Sequence, residues 1–174
     1  MTIKQHMALV GFAGLFMSLF YTLLVCQIAK ADTLQESIVD IARSELGKGE
    51  FGGDNFGIDV LKYTKGRRVS WCAAFVSYVI EKTNKADFKY ELGARNLLKQ
   101  GTLVKEPIPG DLIVFWRESK NGWKGHAGII DTVTKDRIVS IEGNKGSYPS
   151  RVVRHEYKRS ELSNLLGFVR IHQK

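Results

Sequence analysis

Between Thr33 and Leu46 the apolar residues Leu34, Ile38, Ile41 and Ala42 recur near helical spacing, with polar residues between them. Thr33 with Glu36 makes a capping box at the start of this predicted helix, and Gly47 closes it. Glu50 to Gly57 is a Gly-rich loop, and Ile58 to Tyr63 predicts one or two further helical turns. The clearest helix runs from Ser70 to Thr83, where Cys72, Phe75, Val76, Val79 and Ile80 lie along one side and Ser70 is the expected N-cap. Asn84 to Asp87 is a turn, and Leu92 to Gln100 predicts a short helix ended by Gly101.

The remainder is β in character. Pro107-Ile-Pro-Gly-Asp111 is a turn signal that feeds a strand from Leu112 to Trp116. A polar loop, Arg117 to Lys124, precedes a strand from His126 to Val133. Lys135-Asp136 is the hairpin turn to its partner, Arg137 to Glu142. Arg151 to Glu156 and Leu166 to Ile171 complete the strands. Helices followed by consecutive strands imply an α+β domain, with an antiparallel sheet packed against the early helices. No repeat or low-complexity tract interrupts it.

The first thirty residues differ in kind. Met7 to Ala29 carries no charge, Lys4 stands just before it, and Ala29-Lys30-Ala31 offers small residues at the positions a signal peptidase reads. Residues 1–31 are therefore expected to be a signal peptide or an N-terminal membrane anchor, since about 20 apolar residues suffice to span a bilayer. Either sends the body, 32–174, across the inner membrane to the periplasm or cell envelope. Cys26 follows Leu24-Val25, a poor context for lipidation. Any membrane contact is expected through this segment alone.

Charge and cysteine usage narrow the function. Lys and Arg outnumber Asp and Glu by 26 to 18, and the leader contributes Lys4 and Lys30 without an acid. A basic surface attracts polyanions, but the cations are scattered and lack the interleaved aromatics of a base-stacking platform, so no nucleic-acid partner is expected. Of two cysteines only Cys72 lies in the body, which excludes a disulfide framework; the absence of heptads adds the expectation of a monomer. No close grouping of His, Cys or carboxylate residues predicts a metal site, and no Gly-rich phosphate loop with Lys-Ser/Thr predicts a nucleotide site, so no cofactor is expected.

Three places carry candidate chemistry. With Ser70 as N-cap, Cys72 is the second helical residue, beside unpaired N–H groups and the positive end of the helix dipole, which lowers a thiol pKa. A buried structural cysteine is the alternative. His126 opens an apolar strand, where an imidazole could face that helix terminus or simply sit on the surface; His155 and His172 have no comparable setting. Glu142 and Asn144 are two apart, so an extended backbone puts both on one face, where either could orient an imidazole. Glu142-Gly143-Asn144 also reads as a plain turn.

Ser70-Trp-Cys-Ala-Ala-Phe-Val-Ser-Tyr-Val79, Pro109-Gly-Asp-Leu-Ile-Val-Phe115, Gly125-His-Ala-Gly-Ile-Ile130 and Ile141-Glu-Gly-Asn144 resemble, in order and spacing, four motifs of the CHAP domains, cysteine, histidine-dependent amidohydrolases/peptidases of the papain-like NlpC-type superfamily. The resemblance runs from about Ala42 onward. It implies a papain-like α+β fold in which a helix presents Cys72 as nucleophile to a sheet bearing His126 as base, with Glu142 as orienter and Asn144 as a fourth polar member. The implied activity is cleavage of amide bonds in peptidoglycan by an amidase or endopeptidase. The family's usual partner is thus the cell wall, and wall affinity is expected to rest on the domain itself, on its net positive charge and on Trp116 and Trp123 beside the cleft. A cysteine amidase or transferase acting on a non-wall substrate, and a catalytically idle binding module, are the competing functions. Cys72, His126 and Glu142 together speak against idleness.

Overall fold

The computed structural model describes residues 32–174; the expected signal peptide or anchor lies outside the described residues. The first helix, α1 (Leu34–Ser44), begins with the capping box that its sequence announces. Glu36 N–H donates to Thr33 Oγ1 at 3.2 Å, and Thr33 N–H donates to Glu36 Oε2 at 2.8 Å. Its Leu34, Ile38, Val39 and Ala42 are buried. Helix α2 (Ile58–Tyr63) is short, and α3 (Cys72–Thr83) is central: Cys72 to Ser77, Val79, Ile80 and Thr83 are all buried. A helix buried on most of its circumference has to lie inside the domain. It ends at Asn84 in the left-handed region, φ 54°, which Asn tolerates better than most residues.

The segment expected as a short helix from Leu92 to Gln100 is instead a 3₁₀ helix over Ala94–Lys99. With Gly93 before it and Gly101 after it, six residues are too few to sustain a cooperative α-helix.

Six strands form one antiparallel sheet: β1 (Thr102–Val104), β2 (Leu112–Trp116), β3 (Gly125–Val133), β4 (Arg137–Lys145), β5 (Arg151–Lys158) and β6 (Leu165–Arg170), in the order β1-β6-β2-β3-β4-β5. The edge strand β1 has no counterpart in the sequence-based expectation. It is three residues long and largely exposed, so it shows no alternation of apolar and polar positions. The α+β, papain-like class holds.

Alternation along the strands sorts the site. Leu112 and Val114 of β2, with Ala127 and Ile129 of β3, join the core beneath the helices. Ile113, Phe115 and Ile130 belong to a second apolar cluster with Ile138 and Phe168. His126 pairs with Phe115 and so lies on this second face. A carboxylate that contacts the ring through Nε2 has to reach it on this face.

Candidate active site

Helix α3 starts one residue later than its sequence suggests. Ser70, the expected N-cap, is exposed; Trp71 takes the N-cap position without a side-chain cap, and Cys72 is the first helical residue. The cause is the burial of Trp71. Its indole is fully buried, stacks on Tyr63 at 5.7 Å between centroids, and donates from Nε1 to Glu50 Oε1 at 3.2 Å. Glu50 is itself held by the N–H groups of Asn55 (2.9 Å) and Ser150 (2.8 Å). Strand β4 comes close because residue 143 is Gly: a Cβ there would lie 2.6 Å from the Trp71 ring and 2.8 Å from Phe75 Cβ. The indole anchor decides where the helix begins, and with it where the thiol sits.

Cys72, 8 % exposed, lines a cleft of about 320 Å³ together with Ser70, Arg117, Trp123, His126 and Asn144. Burial opposes ionisation of the thiol. The His126 imidazole, a backbone hydrogen bond from Ala127 and the Arg117 charge outweigh burial and pull its pKa below the ordinary value.

His126 is 3 % exposed, and its two ring nitrogens have different partners. Nε2 donates to Glu142 Oε2 at 2.7 Å, and Nδ1 accepts from Arg117 Nη2 at 3.0 Å. That network sets the neutral tautomer with its proton on Nε2. Burial opposes the charged ring, yet hydrogen bonding and charge from Cys72 and Glu142 prevail and raise its pKa. The raised pKa eases protonation of the ring, whereas the Arg117 bond requires the neutral ring.

Glu142 is fully buried, accepts three hydrogen bonds and forms one ion pair. Ser140 Oγ (2.6 Å) and Tyr157 OH (2.7 Å) donate to Oε1, His126 Nε2 (2.7 Å) donates to Oε2, and Lys145 Nζ stands 3.0 Å from Oε2 as its counter-ion. Burial pushes its pKa up, but His126, Lys145 and Ser140 reverse this and hold the carboxyl well below the usual carboxylate range. The Tyr157 hydroxyl is pushed above its ordinary value, first by burial and then by the Glu142 charge, and stays a donor. A buried carboxylate held through both oxygens and paired with a cation is rigid and ionised.

Continuing the β3–β4 register places Gly128 opposite Glu142. A Cβ at Gly128 would lie 2.6 Å from Glu142 Cγ. The glycine therefore clears the path along which the carboxylate reaches His126, two residues away on the same face.

Asn144 departs from expectation. The extended backbone does not continue from Glu142: Asn144 has φ 56°, and the β4–β5 register shifts between Glu142 and Lys145. The two side chains do not share a face at the imidazole. Asn144 accepts from Ser150 Oγ at 3.1 Å and donates to Asn55 Oδ1 at 3.4 Å, so it borders the cleft and ties two loops together. The tryptophans separate as well. Trp123 lines the cleft and is 83 % exposed, with Lys124 over its ring at 5.7 Å. Trp116 is half-buried and does not line the cleft.

Sequence reasoning missed Ser140, Lys145, Tyr157, Arg117 and Gly128. Ser140 was within reach, being two residues before Glu142 on a predicted strand. The other four depend on register and loop path. Among the described residues, no cluster of His, Cys, Asp and Glu could hold a metal, and no helix is long and apolar enough to cross a membrane.

Residues 63–144, which span Cys72, His126, Glu142 and Asn144, match the family model of the CHAP domain. That stretch is similar to a CHAP domain. Among solved structures the chain is similar to Ly7917 (TM-score 0.52, 16 % identity, covering 80 % of this chain and 62 % of that one). The structure of Ly7917 with the hydrolyzing product of MDP gives TM-score 0.54 at 17 % identity, with 80 % and 63 % covered. NlpC1 from Trichomonas vaginalis gives TM-score 0.51 at 15 % identity, with 83 % and 46 % covered. At these identities the likeness establishes the papain-like fold, and the chain spans less than two thirds of each neighbour's length. No curated protein matches the chain.

Proposed function

We propose that this protein is an exported cysteine amidohydrolase or peptidase that cleaves amide bonds of peptidoglycan, with Cys72 as nucleophile, His126 as general base and acid, and Glu142 as the orienting carboxylate. One observation carries the proposal. A buried imidazole is held through Nε2 by an ionised, fully bonded carboxylate, and it shares a cleft with a thiol at the first residue of a helix. That is the nucleophile–base–orienter arrangement of acyl transfer. The CHAP match supports the reaction class, and a structural neighbour determined with the hydrolyzing product of MDP supports a wall-derived substrate.

In this mechanism the Cys72 proton passes to His126 Nδ1 and the thiolate attacks the amide carbonyl carbon. The backbone N–H of Cys72, at the helix N-terminus, donates to the oxyanion. The imidazolium then protonates the leaving nitrogen, the C–N bond breaks and a thioester remains. Water gives a proton to His126 as its oxygen attacks the thioester, and the acid product leaves with the thiol restored. Glu142 stabilises the imidazolium in both halves. Asn144 and Trp123 border the substrate path, Asn144 as a wall of the cleft and Trp123 as an exposed aromatic surface for a sugar or peptide. Export is part of the proposal and rests on the uncharged run Met7 to Ala29.

Incubating the purified protein with peptidoglycan sacculi and identifying released fragments by mass tests the proposal. New amine and carboxyl termini at one stem-peptide bond are expected with the wild type and none with Cys72→Ala. Intact sacculi, or equal release by a folded Cys72→Ala variant, rejects it.

A further inference from the structure

Arg117 is a cation with an unusual companion. It leaves β2 at the start of the 117–124 loop, lines the cleft with Cys72, and points Nη2 at His126 Nδ1 from 3.0 Å. Among the described residues it forms no ion pair, whereas its loop neighbour Lys124 is paired with Glu118 at 2.6 Å. The imidazole is surrounded by Glu142 and Lys145 from β4, Cys72 from α3, Arg117 from the loop and, farther off, His155 and Tyr157 from β5.

A guanidinium has only donors. Its bond to Nδ1 therefore occupies the one lone pair of the neutral ring, since Nε2 carries the proton given to Glu142. That same lone pair has to accept the Cys72 proton in the proposed reaction. Arg117 and the thiol compete for one acceptor. An unpaired guanidinium in a cleft takes a carboxylate in preference to an imidazole, because the charge-assisted, two-pronged bond is shorter and stronger.

We infer that Arg117 is the carboxylate-recognition residue of this cleft, and that a carboxylate on the stem peptide draws it off His126 Nδ1 and so frees the base only when substrate is bound. The inference deepens the proposed function and rests on it for the substrate class. Arg117 acts on the chemistry through His126 and is a positioning and specificity residue. Peptides whose corresponding group is a carboxamide bind without releasing the ring, and are poor substrates.

Two measurements on the full-length protein test this. In the Cys72→Ala background, calorimetric titration compares N-acetylmuramoyl-L-alanyl-D-glutamate with its D-isoglutamine counterpart, which differs by one carboxylate turned to carboxamide. The acid is expected to bind about tenfold tighter or better, consistent with a charge-assisted pair, and the preference should collapse to near unity in Cys72→Ala/Arg117→Gln. Equal binding of the two peptides, or a preference that survives Arg117→Gln, overturns the carboxylate assignment. Binding of neither overturns it too, and sacculus cleavage by the wild type then shows whether the proposed function has failed with it or stands alone.

The second measurement needs no substrate. Nitrogen-15 NMR follows the His126 ring against pH in Cys72→Ala with and without Arg117→Gln. Loss of the guanidinium is expected to move the ring titration upward by about one pH unit, as removal of an adjacent cation does. An unmoved titration overturns the competition for Nδ1. Arg117 is exposed and unpaired, so its replacement leaves the fold intact, which circular dichroism verifies.

Discussion

Glu142→Gln isolates the charge of the proposed orienting carboxylate from its shape. Glu142→Ala would leave three hydrogen-bond donors, Ser140, Tyr157 and His126, around an empty buried position and remove the ion partner of Lys145. Each unsatisfied buried donor costs about 1–3 kcal/mol. Three together, with the lost ion pair, approach the ~5–15 kcal/mol that holds a whole domain, so that variant reports on folding. Gln avoids this. Its amide oxygen accepts from His126 and Lys145, and its NH₂ donates to the Ser140 and Tyr157 oxygens, whose hydroxyls rotate to suit.

What Glu142→Gln loses is the negative charge 2.7 Å from Nε2. An adjacent opposite charge moves a pKa by about 1–3 pH units, equivalent to about 1.4–4 kcal/mol of imidazolium stabilisation. If the imidazolium forms on the way to the transition state, turnover on sacculi should fall about tenfold to a thousandfold. The high-pH limb of the rate profile should move to lower pH by the same interval. Fragment release against pH measures both, with circular dichroism and a urea melt as the check on folding. A folded Glu142→Gln that keeps wild-type turnover and an unmoved pH profile refutes the orienting role of this carboxylate.

The alkylation of Cys72 by iodoacetamide should rise with pH well below the ~8.5 of a free thiol; a rise only near that value contradicts the activated thiolate. Gly128→Ala should push Glu142 off His126 and lower stability by about 1–3 kcal/mol, as overpacking does; a urea midpoint and turnover equal to wild type would show that the glycine is not needed. Acid should unfold the protein through carboxylates whose folded pKa is depressed: Glu142, Asp131, Glu45 and Glu50. Their contribution is full above the unfolded carboxylate range of about 4 and is lost as pH falls through the lower folded values. Urea midpoints at pH 7, 4 and 3 should therefore decline steeply below pH 4, and less so in Glu142→Gln; a flat series contradicts the assignment.

Local rules carried most of the architecture. The capping box at Thr33 and Glu36, the apolar side of α3, the turn before Leu112 and the hairpin at Lys135-Asp136 each depend on neighbours within a few residues. Those contacts form whatever the rest of the chain does, so the order of helices and strands was legible from sequence. The hairpin also put Glu142 and Asn144 on the strand paired with the one bearing His126, but left open which of the two meets the ring.

Tertiary structure decided the rest. Trp71, anchored on Glu50 from a loop twenty-one residues earlier, set the start of α3 against the Ser70 signal. A left-handed Asn144 broke the strand periodicity that would have put two polar side chains on the imidazole. Burial of Glu142 acquired Tyr157 from the next strand, and Gly128 became necessary only once that carboxylate crossed above it. Arg117 reached Nδ1 because its loop folds back beside β3. Each of these depends on contacts between segments distant in the chain, and only the packed fold brings them within hydrogen-bond distance.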